Sequence, residues 1–303
     1  MSQPHGGERA WVARRERGAA AAIKLIVWIA LHLRRPATRL LLYPICLYFL
    51  TFSKDSRAAS RDYLHRTLNR GPRLADSFRH YFAFASCVLD RVYLLNDQID
   101  LFEVVIEGED LVKAELAHGT GGFLFGAHLG SFEILRALAH RQPDIKLSLL
   151  MYEENARKIN SVLDAINPDL ALEVIALGHT DSMLAVEQRL DQGHLIGILA
   201  DRGISSGAEE EAEIEFLGEP ARFPVGPFRL AAVLRRRVFM MVGLYRGGRR
   251  YEVHFEPLVD FTDLPRAAQR EEIVLALRRY VTRLQYYCRA APYNWFNFYD
   301  FWR

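Results

Sequence analysis

The sequence predicts an α/β protein: a mixed, largely parallel sheet flanked by helices, with a membrane-associating helical region at its N-terminus. Three observations carry that expectation. From about residue 102 onward, short apolar runs of strand length alternate with segments of helical apolar spacing. Such alternation builds a sheet with helices packed on its faces. The first 70 residues are different in kind, being basic, apolar and aromatic together.

That N-terminal region carries 13 Lys and Arg against 4 Asp and Glu, whereas the rest carries 26 against 33. A basic, apolar segment on a mildly acidic body suits an anionic membrane surface. The alternative is a basic arm packed on its own acidic body. Residues 19–33 are apolar apart from Lys24 and His32, and Arg34-Arg35-Pro36 ends the stretch. Residues 39–52 form a second apolar stretch, with Pro44 inside it. Each is about fifteen residues, short of the roughly 20 that span a bilayer. Trp28, Tyr43, Tyr48 and Phe49 are the side chains that settle at headgroup depth. Interfacial or partly embedded helices are therefore expected, rather than a full crossing. Two core helices of a soluble bundle are the alternative, against which Arg34, Arg35 and Arg39 argue. Residues 1–70 are thus assigned to membrane-associating helices and 71–303 to the α/β domain.

Residues 75–95 read as a long amphipathic helix, with Phe78, Phe82, Ala85, Leu89 and Val92 on one face. A strand over 102–106 and a helix over 109–117 follow. Gly119-Thr120-Gly121-Gly122 then turns the chain into a buried strand over 122–126. Helix 131–141, strand 145–151, helix 153–165, strand 172–176, helix 181–192 and strand 194–200 continue the alternation. Residues 203–212 are rich in Gly, Ser and Glu and read as a loop, either a lid or a solvated connection. Strand 213–217, helix 226–235, strands 238–245 and 250–257 and a last helix over 267–289 complete the series. No internal repeat or flexible linker divides them, so one domain is expected.

Composition limits the function. Half of the 303 residues are apolar, enough for a sizeable core. A net charge of +2 gives no compositional support for nucleic-acid binding. Cys46, Cys87 and Cys288 are far apart, in apolar helical contexts, and read as buried thiols in a reducing compartment. No His-Glu-x-x-His or comparable ligand cluster is present, so neither a metal nor another cofactor is expected.

The chemistry points to Gly126-Ala127-His128-Leu129-Gly130-Ser131-Phe132-Glu133. His128 falls where a strand ends and Glu133 in the first turns of the next helix, at the strand edge where α/β sites gather. An imidazole can take a proton near neutrality. A carboxylate on its far nitrogen fixes the tautomer and stabilises the imidazolium. Gly130, Ser131 and the amides opening the helix are positioned to face an oxyanion. The plainer reading is a strand cap at His128 and a surface helix residue at Glu133. Ser131 is not read as a nucleophile, since its flanks do not make the Gly-x-Ser-x-Gly elbow.

At these residues the chain resembles the lysophospholipid-acyltransferase-like superfamily, in particular the lauroyl/myristoyl acyltransferases of lipid A biosynthesis. That family carries His, four residues, then Asp or Glu, matched by His128 and Glu133. The block from Phe216 to Pro227 is similar to its later loop and helix start, and the segment from Val238 to Pro257 to its closing strands. Asp201-Arg202 stands where relatives carry an Asp-Gln type sequence. The Trp-rich close, Trp295-Phe296 to Phe301-Trp302, is similar too. The pattern is closest to the subgroup found in clusters for aryl-polyene-type lipids.

The resemblance implies a membrane-associated O-acyltransferase at the cytoplasmic face of a bacterial inner membrane. It implies acyl carrier protein as the thioester donor and a membrane lipid or glycolipid as acceptor. His128 would be the general base and Glu133 its orienting partner. Asp201 would position the acceptor, order Arg202 or simply cap a turn, and Arg202 would support the oxyanion. Arg222 and Phe223 would line the acceptor cleft, or else begin a helix with Pro224. Arg14, Arg15 and Arg17, or Arg235, Arg236 and Arg237, would dock the acidic carrier, or merely be solvated charge. Two rivals stand beside it: an acyl-thioester hydrolase using the same dyad on water, and a non-catalytic membrane-bound scaffold.

Overall fold

The computed structural model describes residues 28–142, 145–152, 174–177, 181–203 and 210–302. The helix expected over 153–165, Arg14, Arg15 and Arg17 lie outside the described residues, as do most of the apolar stretch over 19–33 and residues 204–209 of the expected loop.

Ahead of the sheet stand, among others, the helices α1 (Arg35–Leu40), α2 (Leu42–Phe52), α3 (Lys54–Thr67) and α4 (Leu74–Leu95). Pro36 in the first turn of α1 suits a position whose N–H has no helical partner. Arg35 ties α1 down, donating to both oxygens of Asp90 on α4 at 2.7 Å, while the Tyr251 hydroxyl donates to the same carboxylate at 2.8 Å. In α2, which is apolar almost throughout, only Leu42, Cys46 and Leu50 are buried. They are four residues apart and so share one stripe, the one that meets α4. Tyr43, Ile45, Leu47, Tyr48, Phe49 and Phe52 stay exposed, Phe52 by 69%. No described helix is long and apolar enough to cross a membrane.

The sheet then forms from β1 (Glu103–Glu107), β2 (Phe123–Gly126), β3 (Leu147–Tyr152), β4 (Val174–Leu177), β5 (Leu195–Leu199), β8 (Arg237–Gly247) and β9 (Arg250–Asp260). Its order is β1-β9-β8-β2-β5-β3-β4. Every neighbouring pair is parallel except the β8–β9 hairpin, so the sheet is mixed and mostly parallel, as expected. Helices α5 (Glu109–Ala117), α6 (Glu133–His140), α7 (Ser182–Asp191), α8 (Gly226–Val233) and α9 (Arg266–Ala290) connect and flank it.

Strand periodicity splits the core in two. Phe123 and Phe125 of β2, with Val238, Met240 and Val242 of β8, face a core completed by α8 and α9. Leu124, Phe239 and Met241 point the other way, onto α4 and α6. Cys46, Cys87 and Cys288 are all buried free thiols.

One element departs from expectation. Residues 219–224 are a strand, β7 (Glu219–Pro224), pairing antiparallel with β6 (Glu211–Phe216) in a separate two-stranded sheet. Leu217 and Gly218 form the turn, with φ of 54° and 92°. Two consecutive positive values are what a two-residue hairpin of primed type needs. Leu217 adopts this backbone buried, its amide donating to Gln285 Oε1 of α9 at 2.7 Å.

Candidate active site

The site forms at the carboxyl ends of two adjacent parallel strands. The register of β2 and β5 places Gly126 opposite Leu199. Two residues further along each chain stand His128 and Asp201, and they meet. Asp201 Oδ1 lies 2.8 Å from His128 Nδ1, and Oδ2 accepts the His128 backbone amide at 3.1 Å.

Asp201 is fully buried and accepts from three residues. Besides His128, the Trp295 indole N–H and the Asn297 side-chain amide donate to Oδ2 at 3.2 and 3.1 Å. Burial alone would push its carboxyl up. The opposing pull of the His128 imidazole, its hydrogen bonds and the nearby Arg202 charge wins, holding Asp201 at about 2. An ionised carboxylate only accepts, so the Nδ1 position of His128 carries the proton. Nε2 is then left with its lone pair and no protein partner among the described residues, on a side chain 32% exposed.

A C-terminal segment straps the histidine loop in place. Leu129 and Trp295 form an antiparallel bridge, in which Gly130 N–H donates to Asn294 O and Phe296 N–H to His128 O, both at 2.7 Å. Ser131 N–H donates to Gly243 O of β8, also at 2.7 Å. The contact is close enough to require glycine on both sides. A Cβ on Gly130, whose φ is +70°, would sit 2.0 Å from Gly243 O, and one on Gly243 would sit 2.3 Å from Ser131 O. Trp295 is completely buried, packed on Tyr63, Phe216 and Phe301. The C-terminal aromatics near it are therefore core.

Several sequence expectations are corrected here. Glu133 is not the acid on His128. Its oxygens are taken by Arg136 at 3.0 Å and Arg91 at 3.2 Å, and no hydrogen bond joins it to His128 among the described residues. Four intervening residues put Glu133 on α6, beyond the Gly130–Gly243 contact, where two arginines claim it. Asp201 is sealed from solvent, so it does not touch an acceptor. The Gly130 and Ser131 amides are occupied and do not face an oxyanion. Phe223 points into the core against Phe216 and Phe301, while Arg222, its neighbour on β7, is exposed on the opposite face. The two therefore do not line one cleft.

Arg202 is brought to the site, though mostly as a fastener. Its Nε donates to Asn297 Oδ1 and its Nη2 to Phe296 O at 3.0 Å, with the guanidinium over the Tyr299 ring. The arginines at 235–237 sit at the other end of the sheet, where β8 begins beside the start of β2. Arg236 pairs with Asp191, and Arg237 with Glu115 and Asp260. That cluster therefore offers little charge near His128.

A family profile described as bacterial lipid A biosynthesis acyltransferase matches residues 77–303. No curated protein matches significantly in sequence. Among solved structures, the 1-acyl-sn-glycerophosphate (LPA) acyltransferase PlsC from Thermotoga maritima is similar at 14% identity and a TM-score of 0.39, over 83% of this chain and 98% of that one.

Proposed function

The chain belongs to the bacterial lipid A biosynthesis acyltransferases, and from that premise we propose that it moves a fatty acyl group from a thioester to a hydroxyl of a membrane lipid. It is an acyltransferase of lipid biosynthesis; donor, acceptor and mechanism are our reading. The observation that carries the mechanism is the His128–Asp201 pair, with Nδ1 bound at 2.8 Å and Nε2 left without a protein partner.

His128 Nε2 takes the proton of the acceptor hydroxyl as its oxygen attacks the thioester carbonyl carbon. Asp201 holds the imidazole in the required tautomer and stabilises the imidazolium that forms. The tetrahedral intermediate collapses with cleavage of the carbon–sulfur bond. The leaving thiolate collects the proton from Nε2, giving an ester and a free thiol. Arg202 supplies positive charge beside the pair. No covalent acyl-enzyme is needed, so Ser131 has no nucleophilic task. The resemblance to carrier-dependent relatives favours acyl carrier protein as the donor.

The exposed apolar face of α2 supports a membrane-bound location. Six large side chains there remain uncovered by protein, whereas single exposed apolar residues are ordinary. Arg34 and Arg39 flank the face and suit anionic headgroups, as at the cytoplasmic side of a bacterial inner membrane.

Mass spectrometry of membrane lipids from cells with and without the chain tests the reaction. A lipid heavier by one acyl group is expected, absent with His128→Ala. Free fatty acid released from acyl carrier thioester without any acceptor would instead indicate the hydrolase. Lipids unchanged by the chain, together with an intact cellular phenotype in His128→Ala, would indicate the scaffold.

A further inference from the structure

A cavity lies away from the His128–Asp201 pair, and its lining is unlike that of an ordinary crevice. An open cleft of about 550 Å³ runs between α1, α2, α4, the β8–β9 turn and the segment after α9. That size falls within the usual range for small-ligand sites. Three arginines line it, Arg39, Arg79 and Arg246, and no Asp or Glu does. Arg246 is paired with Glu252 at 2.6 Å. Neither Arg39 nor Arg79 is ion-paired with a carboxylate among the described residues. Arg39 is held instead by Gly248 O and by the Tyr245 hydroxyl at 2.9 Å, which fixes its position, and Asp90 acts on it only from beyond ion-pair distance.

The remaining wall is aromatic. Tyr43 packs on Phe78 and Phe82, with ring centroids 6.1 and 4.8 Å apart, and the Arg39 guanidinium lies over the Phe82 ring. Tyr43 belongs to α2, whose outer apolar side chains are exposed. The cavity thus joins two arginines without a direct carboxylate partner to an apolar surface that is largely exposed. An inorganic anion would use the arginines and leave the aromatic wall bare. A neutral apolar ligand would leave two charges unmatched.

We propose that this cavity binds the phosphate-bearing headgroup of an anionic membrane phospholipid. Arg39 and Arg79 meet the phosphate, and the aromatic wall and α2 meet the upper acyl chains. The site also reaches the catalytic loop through one residue. Asn294 lines the cavity, accepts the Gly130 amide through its carbonyl, and exchanges side-chain hydrogen bonds with the Tyr245 backbone. The proposal rests on the membrane-bound reading given above.

Flotation of the full chain with vesicles tests it, comparing pure phosphatidylcholine with the same lipid containing one-fifth phosphatidylglycerol. Wild type is expected to favour the anionic vesicles. The Arg39→Gln/Arg79→Gln pair should lose about thirtyfold of that binding, at roughly 1 kcal/mol per basic residue near the surface, with phosphatidylcholine binding unchanged. Arg79→Gln alone, an exposed position, should lose part of it without disturbing the fold. Arg278→Gln, an exposed arginine on α9, serves as the charge control. An equal loss with Arg278→Gln, or none with the pair, overturns the site. Inorganic phosphate titrated by calorimetry separates the sources: saturable binding that vanishes in the pair would make this an ion site and overturn the lipid assignment. Leu47→Ser/Phe52→Ser should weaken binding to both vesicle types, and failure of that result alone would reject the membrane reading of α2. His128→Ala should bind vesicles as wild type does, which keeps this test independent of the acyl-transfer mechanism.

Discussion

The indole N–H of Trp295 donates to Oδ2 of Asp201, the oxygen that also receives the backbone amide of His128. A residue late in the chain thereby helps hold the carboxylate that meets the His128 imidazole. Asp201→Asn should keep the fold, because an amide oxygen still accepts. It should also favour the wrong imidazole tautomer and lower kcat by about 10³–10⁴-fold. Glu133→Gln should do the reverse, leaving kcat within a few-fold and lowering thermal stability, since Arg136 would stay buried without its partner. Steady-state kinetics and melting curves of the two variants check this assignment. A collapse of kcat in Glu133→Gln at unchanged stability would restore Glu133 as the partner.

Acid should weaken the protein through His80. This imidazole is buried between the Ser60 hydroxyl, 3.0 Å from Nδ1, and the Trp295 carbonyl, 2.8 Å from Nε2. Burial holds it neutral and pushes it down to about 4, against the opposing effect of the Trp295 carbonyl. The unfolded chain takes up this proton near 6.5 and the folded one near 4, so stability is full above 6.5 and declines as pH falls through that window. The slope approaches one proton, about 1.4 kcal/mol per pH unit. Denaturant melts from pH 7.5 to 4 should show it, and His80→Gln should be less stable at pH 7.5 but flatter below. Asp201 acts lower on the scale. Its depressed carboxyl contributes stability above the usual carboxylate range, and that contribution is lost as pH falls towards 2.

Gly130→Ala should be severe although it adds a single methyl. The new carbon would overlap Gly243 O at 2.0 Å, at a φ of +70° that disfavours L residues. A loss of roughly 3 kcal/mol or more, with activity falling further than stability explains, is expected from displacement of the His128 loop. Urea titration and kcat at a temperature where the variant remains folded check it.

Phe223 and Arg222 should separate cleanly. Phe223→Ala removes a core ring packed on Phe216 and Phe301 and should cost about 3–5 kcal/mol. Arg222→Ala should change stability by no more than about 0.5 kcal/mol. Neither should alter KM for the lipid acceptor in the folded enzyme. A selective rise in KM would return them to the acceptor cleft.

The sheet was legible because apolar runs and their breaks are local signals. The runs at 122–126, 194–200 and 238–245 coincide within a few residues with β2, β5 and β8. His128 was legible for the same reason, standing just past one such run. The carboxylate that it meets, Asp201, was not, because a contact across 73 residues has no local period. A usable signal did exist: His128 and Asp201 each stand two residues beyond strand residues that turn out to be paired, Gly126 and Leu199. Reading it requires knowing that β2 and β5 are neighbours, which spacing does not say. The hairpin at 211–224 was half missed for another reason. Pro220 and Pro224 read as helix-start or loop residues, and Leu217 is an unusual choice for a left-handed turn.

The strap over the histidine loop fixes when the enzyme can first work. Residues 294–297 leave the ribosome after every strand of the sheet and every helix around it. Until they arrive, the carboxylate beneath the imidazole lacks two of its donors and the loop lacks its bridge. The nascent protein can therefore complete its sheet while the His128 loop is still unbraced, and the pair is fully held only once residues 294–297 have been made.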